Sequence, residues 1–256
     1  MRQEAFIRIG HGGASALAPA NTLASFDVAR QVGVDVVEFD VRAWRGELIL
    51  AHTIIDARRG GHVSLRKALA HLPGRDFNGL EFHVDVKNAG CEPALVHGLR
   101  EFGLMKRTVI CSQVTAVLDR VRALEPRARV GISVGGRVAR ASQRWSDWRA
   151  QVLAGLNSRR WDAVMAQHRL IDHHLLEDVV ARDGVVYAWT VNRPGAIAAL
   201  RALGVHGIST ADPRLFAASS KLVNGGQQSR VAADQGRALL ADQRAVELAP
   251  FFDPAV

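Results

Sequence analysis

Residues 185–210 read VVYAWTVNRPGAIAALRALGVHGIST. An apolar run rich in valine and aromatics (185–191) gives way to Asn-Arg-Pro-Gly. A helical pattern, AIAALRALG, follows and closes on glycine, and a second short apolar run, HGIST, completes the stretch. A strand, a crossover of more than a dozen residues and another strand predict a parallel βαβ unit.

The same alternation extends back along the chain. The runs FIRIG (6–10), VDVVEFDV (34–41), LEFHVDVK (80–87), RTVICS (107–112), RVGISV (129–134) and DAVMAQ (162–167) all read as strands. Helical stretches such as TLASFDVARQVG, CEPALVHGLREFG, TAVLDRVRALEP and LLEDVVARDG lie between them, several ending in glycine. Eight strands with intervening helices predict a single-domain α/β protein, a (β/α)8 TIM barrel, over residues 1–216. A ninth run, ELILAH (47–52), follows VEFDV after only a WRG turn. It is too close for a crossover and reads as a hairpin partner outside the barrel. Residues 217–256 break the pattern and read as a C-terminal tail, helical in part or disordered.

Of 256 residues, 33 are basic against 25 acidic, a formal charge of +8 carried mostly by arginine. The basic residues are spread along the chain with no zinc spacing, helix-turn-helix or aromatic-basic motif, so nucleic acid is not an expected partner. Attraction to phosphate esters and a plain solvated surface both account for the charge. Cys91 and Cys111 form no disulfide framework or zinc site and read as structural thiols. The first residues contain no signal-peptide core, and no apolar run approaches the ~18 residues of a membrane span. The expected location is cytoplasmic, with peripheral membrane contact and homo-oligomers left open.

In such a barrel, chemistry sits at the C-terminal ends of the strands. His11 follows the first strand and His52 ends the hairpin run. Glu38 and Asp40 share one face of the second strand, and Asp85 and Lys87 share one face of the third. Each has a plainer reading as a structural histidine or a solvated acidic face. Glu38 and Asp40, however, sit among apolar neighbours, where two acids repel and call for a cation or strong donors. With Asp85 they offer the hard oxygen ligands that Mg²⁺ or Ca²⁺ prefers. Lys87 is placed to hold a phosphate oxygen, and two histidines supply an acid–base pair near neutral pH.

Six ordered segments carry a resemblance. GHGGASALAPANTLASF resembles an HRG…PENT…AF opening, and VDVVEFDV a G-x-D-x-x-E-x-D-V strand. LILAH resembles a V-x-x-H-D segment, HVDVK an I-E-I-K strand, AWTVN a W-T-V-N strand, and GVHGISTADP a G-V-D-G-I-x-T-D-x-P run. Together they resemble the glycerophosphodiester phosphodiesterase family, within a superfamily that includes sphingomyelinase D-type phospholipases. The resemblance implies metal-dependent hydrolysis of a small phosphodiester to an alcohol and glycerol phosphate, through a cyclic phosphate. It implies one divalent cation on Glu38, Asp40 and Asp85, acid–base roles for His11 and His52, phosphate contact by Lys87, and Trp189 lining the alcohol side. Arg58 matches a family arginine; Gln167 and Asn192, at strand ends, are further candidates for substrate hydroxyls.

The chain also departs from the family pattern. Gly12 stands for an arginine, Ala20 for a glutamate, Thr53 for an aspartate after His52, and Ala211 for an acid that Asp212 immediately follows. Only 33 positions separate His52 from Asp85, so the family's small insertion subdomain is expected to be missing and the pocket open. That openness keeps two alternatives in view: a lysophospholipid or sphingolipid phosphodiesterase, and a non-catalytic phosphate-ester binder. His83 reads as barrel lining. His168, His173 and His174 read as loop and helix-start residues, and Trp145, Trp148 and Trp161 as helix packing.

Overall fold

In a computed structural model, residues 6–136 and 143–219 are described. The strands are β1 (Ile7–Gly10), β2 (Val36–Trp44), β3 (Glu47–Ile49), β4 (Glu81–Val86), β5 (Thr108–Ser112), β6 (Arg129–Val134), β7 (Ala163–Gln167), β8 (Val185–Trp189) and β9 (Gly207–Thr210). All except β3 pair in parallel in the ring β1-β9-β8-β7-β6-β5-β4-β2, which closes through β1 and β2. This is the expected (β/α)8 barrel, formed by a single domain.

The helices are α1 (Leu23–Val32), α2 (Ile54–Arg59), α3 (Leu65–His71), α4 (Glu92–Glu101), α5 (Thr115–Leu124), α6 (Gln143–Asn157), α7 (His173–Val180) and α8 (Pro194–Leu203). Their ends follow local chemistry. Thr22 and Ser25 form a reciprocal cap at the start of α1, and Gly33, in the left-handed region at φ 90°, receives its end. Residues 215–219 are helical, and the rest of the expected tail lies outside the described residues. No described helix is long and apolar enough to cross a membrane.

The strand β3 pairs antiparallel with the end of β2, Trp44 opposite Glu47, leaving Arg45 and Gly46 as the whole turn. Both have positive φ, 50° and 84°, the geometry that matches a two-residue turn to strand twist. The hairpin therefore stands outside the barrel, as its spacing predicts. Between it and β4 only α2, α3 and a short 3-10 turn intervene.

Two apolar layers result. Between strands and helices, Phe26, Phe39, Phe82, Leu95, Leu99, Val130, Ile132 and Ile208 join one continuous core. Inside the barrel, a smaller cluster holds Val109, Cys111, Ala163 and Met165. Trp145 and Trp161 are buried in the outer core, and Trp148 packs against it. Both cysteines are free and buried.

Trp161 also explains a glycine inside a helix. A Cβ on Gly155 of α6 would lie 1.9 Å from Trp161 Cζ2, and the indole is held by its Nε1 donating to the Val152 carbonyl at 3.0 Å. Helix propensity favours alanine there by ~1 kcal/mol, but the overlap lands on a ring that cannot swing away. Gly155→Ala is expected to destabilise by about 1–3 kcal/mol. In a thermal melt this reads as a Tm lowered by roughly 2–12 °C. An unchanged or higher Tm would mean that the ring is free to move.

Candidate active site

The site forms where β1, β2 and β4 end side by side. In the β2–β4 register Glu38 faces His83 and Asp40 faces Asp85, so the acids project from neighbouring strands at matching heights. Ligand oxygens of Glu38, Asp40 and Asp85 lie within 4.8 Å of one another. Lys87 Nζ sits 2.7 Å from Asp40 Oδ1 and 2.7 Å from Asp85 Oδ2.

Two of the acids, Glu38 and Asp40, are held from outside the cluster. The Gly12 amide donates to Glu38 Oε2 at 2.8 Å, and the Gly13 amide donates to the Glu38 carbonyl at 2.9 Å. The turn that delivers them needs glycine. At Gly13, φ is 82° and a Cβ would meet Ser25 Oγ at 2.5 Å. Asn21, itself left-handed at φ 59°, clamps Asp40: its Nδ2 donates to Asp40 Oδ2 at 2.8 Å and its Oδ1 accepts from the Asp40 amide at 2.9 Å.

Electrostatics follow from crowding. Burial, then the Asp40 charge, push Glu38 well above the ordinary carboxylate range. Burial also raises Asp85, with Lys87 opposing it and Asp40 adding to it. At Asp40 burial acts in the same direction, but Lys87, His52 and the hydrogen bonds from Lys87 and Asn21 outweigh it and hold that acid low. Lys87 is raised, because burial is outweighed by all three acids. One ammonium thus faces three carboxylates, and Asp85 Oδ1 is buried with no partner. An all-oxygen donor set with an orphaned oxygen fits a hard divalent cation.

The histidines flank this cluster. His11 follows β1, its amide donating to the Thr210 carbonyl at 2.9 Å, and burial lowers its pKa against the pull of Asp40. His52 is more exposed, and Arg42 Nη2 donates to its carbonyl at 2.9 Å. Thr53, next to it, caps α2 by accepting from the Asp56 amide at 3.0 Å, so helix start replaces the family's aspartate at that position.

A cavity of about 280 Å³ opens here, lined among others by His11, Glu38, His52, Asp85, Lys87 and Trp189. The Trp189 Nε1 donates to the Met165 carbonyl at 2.8 Å, which fixes the indole as a wall. The other candidates lie elsewhere. Arg58 lines a separate hollow with Trp44, Arg45, Glu47 and His62. Asn192 Oδ1 accepts from Thr210 Oγ1 at 3.2 Å and from the Ala211 amide at 2.9 Å, tying two loops together. Gln167 ends β7 opposite Trp189. Asp212 is engaged by Arg214 at 2.8 Å. His173 and His174 are exposed beside Glu177.

Sequence reading did not single out Asn21, the Gly12 amide, Gln113, Ser133, Tyr187 or Ser209. Asn21 carried a signal, an asparagine beside a proline-containing loop, but its partner is 19 positions away. His83, read as barrel lining, lines the cavity.

The fold and the cluster at its mouth define a (β/α)8 barrel with an acidic, oxygen-rich site. The sequence profile of the Glycerophosphoryl diester phosphodiesterase family matches residues 11–52 and 77–215, well over half of the chain. The chain belongs to this family, and its enzyme class is glycerophosphodiester phosphodiesterase. No curated protein matches it closely. Solved structures share the fold at low identity. The glycerophosphodiester phosphodiesterase of Agrobacterium tumefaciens gives a TM-score of 0.65 at 18% identity, over 85% of this chain and 100% of that one. The Thermotoga maritima enzyme of the same name gives 0.66 at 18%, over 84% and 98%. An Oleispira antarctica phosphodiesterase in complex with its product sn-glycerol-3-phosphate gives 0.62 at 20%, over 84% and 96%. The internal gap in the family match, 53–76, holds α2 and α3.

Asn21 is the test of how the cage is held. Removing a group that orients a ligand typically costs 10–100-fold in metal affinity. Asn21→Ala is expected to weaken Mg²⁺ or Ca²⁺ binding by about that much in titration calorimetry. Unchanged affinity would mean that Lys87 alone orients Asp40.

Proposed function

We propose that this protein hydrolyses small glycerophosphodiesters to an alcohol and glycerol phosphate, with a divalent cation, Mg²⁺ or Ca²⁺, held by Glu38, Asp40 and Asp85. The observation that carries the reading is the convergence of those acids, Lys87 and two histidines on one cavity at the C-terminal mouth of the barrel.

The ion supplies positive charge against the negative charge that builds on phosphoryl oxygens in the transition state. The chain's own groups move the protons. His11, lowered by burial, is neutral near pH 7 and takes the proton from a substrate hydroxyl adjacent to the phosphate. That oxygen bonds to phosphorus, the bond to the leaving alcohol breaks, and His52 at the mouth protonates the departing oxygen. Water then opens the cyclic phosphate with the roles reversed: His52 takes the water proton and His11 returns one to the ring oxygen. Because nucleophile and phosphate belong to one molecule, their approach costs little further entropy. Lys87 contacts a phosphoryl oxygen, and Trp189 bounds the alcohol side. With an arginine absent at position 12, Lys87 carries the phosphate contact without a bidentate partner.

The cavity lies at the small end of ligand pockets, which run from about 300 Å³ upward. That size favours a compact diester over a lysophospholipid acyl chain.

A release assay on metal-stripped protein tests the reading, with glycerophosphocholine, glycerophosphoethanolamine, glycerophosphoinositol and a lysophospholipid as substrates. Turnover is expected only when Mg²⁺ or Ca²⁺ is restored. His11→Ala is expected to lower kcat by ~10²–10⁴-fold, and Asp85→Asn to weaken metal binding. Turnover without metal, or none on any substrate in a folded, metal-bound protein, would overturn it. Preference for the lysophospholipid would move the protein to the lipid branch.

A further inference from the structure

Large apolar side chains left in water are few among the described residues, and they are not scattered. Ile54 is 46% exposed, Ile55 54%, Val114 38% and Val180 47%. Val180 closes α7, at the far end of the barrel from the site. The other three stand at the mouth. Ile54 and Ile55 open α2 just beyond His52, and Val114 directly follows Gln113; His52 and Gln113 both line the cavity. In the ring, β4 alone separates β2 from β5, so the two segments flank one arc of the rim. Between them, the exposed residues of the loop after β4 are Ala89 and Gly90, neither of them charged.

Beside this apolar arc the charge is mainly positive. Arg45 at the hairpin turn and Arg58 at the end of α2 are exposed, and neither makes an ion pair among the described residues. They share a hollow of about 340 Å³ with Trp44, Glu47 and His62, two guanidiniums to one carboxylate. Arg45 lies over the Trp44 ring at 5.4 Å, and His62 Nδ1 is buried with no partner. Arg59 adds a third positive charge, 75% exposed, although Asp56 lies 3.5 Å away. Asp56 itself is engaged by the Thr53 hydroxyl at 2.6 Å. Apolar side chains fringed by arginine and tryptophan match the layering of a lipid surface, hydrocarbon beneath phosphate. A second copy of this chain, set face to face on the same patch, would instead bring these arginines against their own kind.

We propose that this arc of the rim docks on an anionic phospholipid membrane, with Ile54, Ile55 and Val114 entering the acyl boundary and Arg45 and Arg58 holding lipid phosphates. Ile54, Ile55 and Arg58 lie in the internal gap of the family match, so the surface belongs to this chain and not to the family's common barrel. The opposite arc, above β7, β8 and β9, carries none of the exposed large apolar side chains. A water-soluble diester therefore still reaches the cavity from that side while the protein is docked. The proposal stands apart from the phosphodiesterase reading, because membrane binding is measured without turnover.

Cosedimentation of the full chain with vesicles tests it, using phosphatidylcholine alone and phosphatidylcholine with about 30% phosphatidylglycerol. Wild type is expected to bind the anionic vesicles at least about tenfold more tightly, since each arginine near such a surface contributes roughly fivefold. Most of that gain is expected to vanish in about 0.5 M salt, which screens the charges. Ile54→Asp/Ile55→Asp, with Tm unchanged, is expected to weaken binding to anionic vesicles by about tenfold or more. Val114→Asp, on a separate loop, is expected to weaken it by about threefold or more. Arg45→Gln/Arg58→Gln is expected to shrink the anionic preference to about threefold or less. No binding to anionic vesicles, or equal binding to both kinds, would overturn the proposal. So would isoleucine and valine variants that bind as wild type does. A wild type that stays off vesicles and dimerises, with the dimer lost in Ile54→Asp/Ile55→Asp, would overturn it in favour of a second copy.

Discussion

Three carboxylates around one ammonium set the terms for this end of the barrel. Glu38, Asp40 and Asp85 would repel if nothing held them, and Lys87 alone balances one charge of three. The surrounding chain is arranged around that imbalance. The β1 turn spends two glycines to bring its amides onto Glu38, and the loop before α1 takes a left-handed asparagine to reach Asp40. The β2–β4 register puts Asp40 beside Asp85, when a slip of one residue would turn one acid out of the barrel. A cluster so costly to leave half-neutralised is poor as scaffolding and suited to gripping a cation.

Much of this is legible from sequence for a physical reason. Strands buried on both faces must be apolar throughout, so acids in VVEFDV and HVDVK stand out against their own background. The eight runs, the outlying hairpin and the two histidines are visible for the same reason: strand length and spacing are local properties. Asn21, by contrast, acts on a residue 19 positions away, and the Gly12 amide has no side chain to announce it. Thr53 looks like a loss when set against a family motif, yet in place it is a helix cap. The short helix α2 was not evident either, because six residues with no apolar stripe carry little periodicity.

The lumen resists sequence reading most. Whether a barrel is filled depends on the sum of side-chain volumes brought together from eight strands. Cys111, Ser133 and Ser209 are unremarkable one at a time, and only their meeting inside one ring leaves space. His83 alternates with Asp85 and Lys87, so its inward direction is readable, but the empty volume beside it is not.

The two-residue turn at Arg45–Gly46 is followed, beyond His52, by a segment, residues 53–76, that lines no part of the cavity. None of the three carboxylates, nor Lys87, His11 or Trp189, comes from residues 53–76, and His52 is fixed from below by Arg42. Within that segment α3 belongs to the core through Leu65, Ala68, Leu69 and Leu72, so room to lengthen or shorten lies in the exposed stretch 58–61 before it. In evolutionary terms, that stretch can drift in length while the groups that line the cavity stay fixed to the strands and to the residues that follow them.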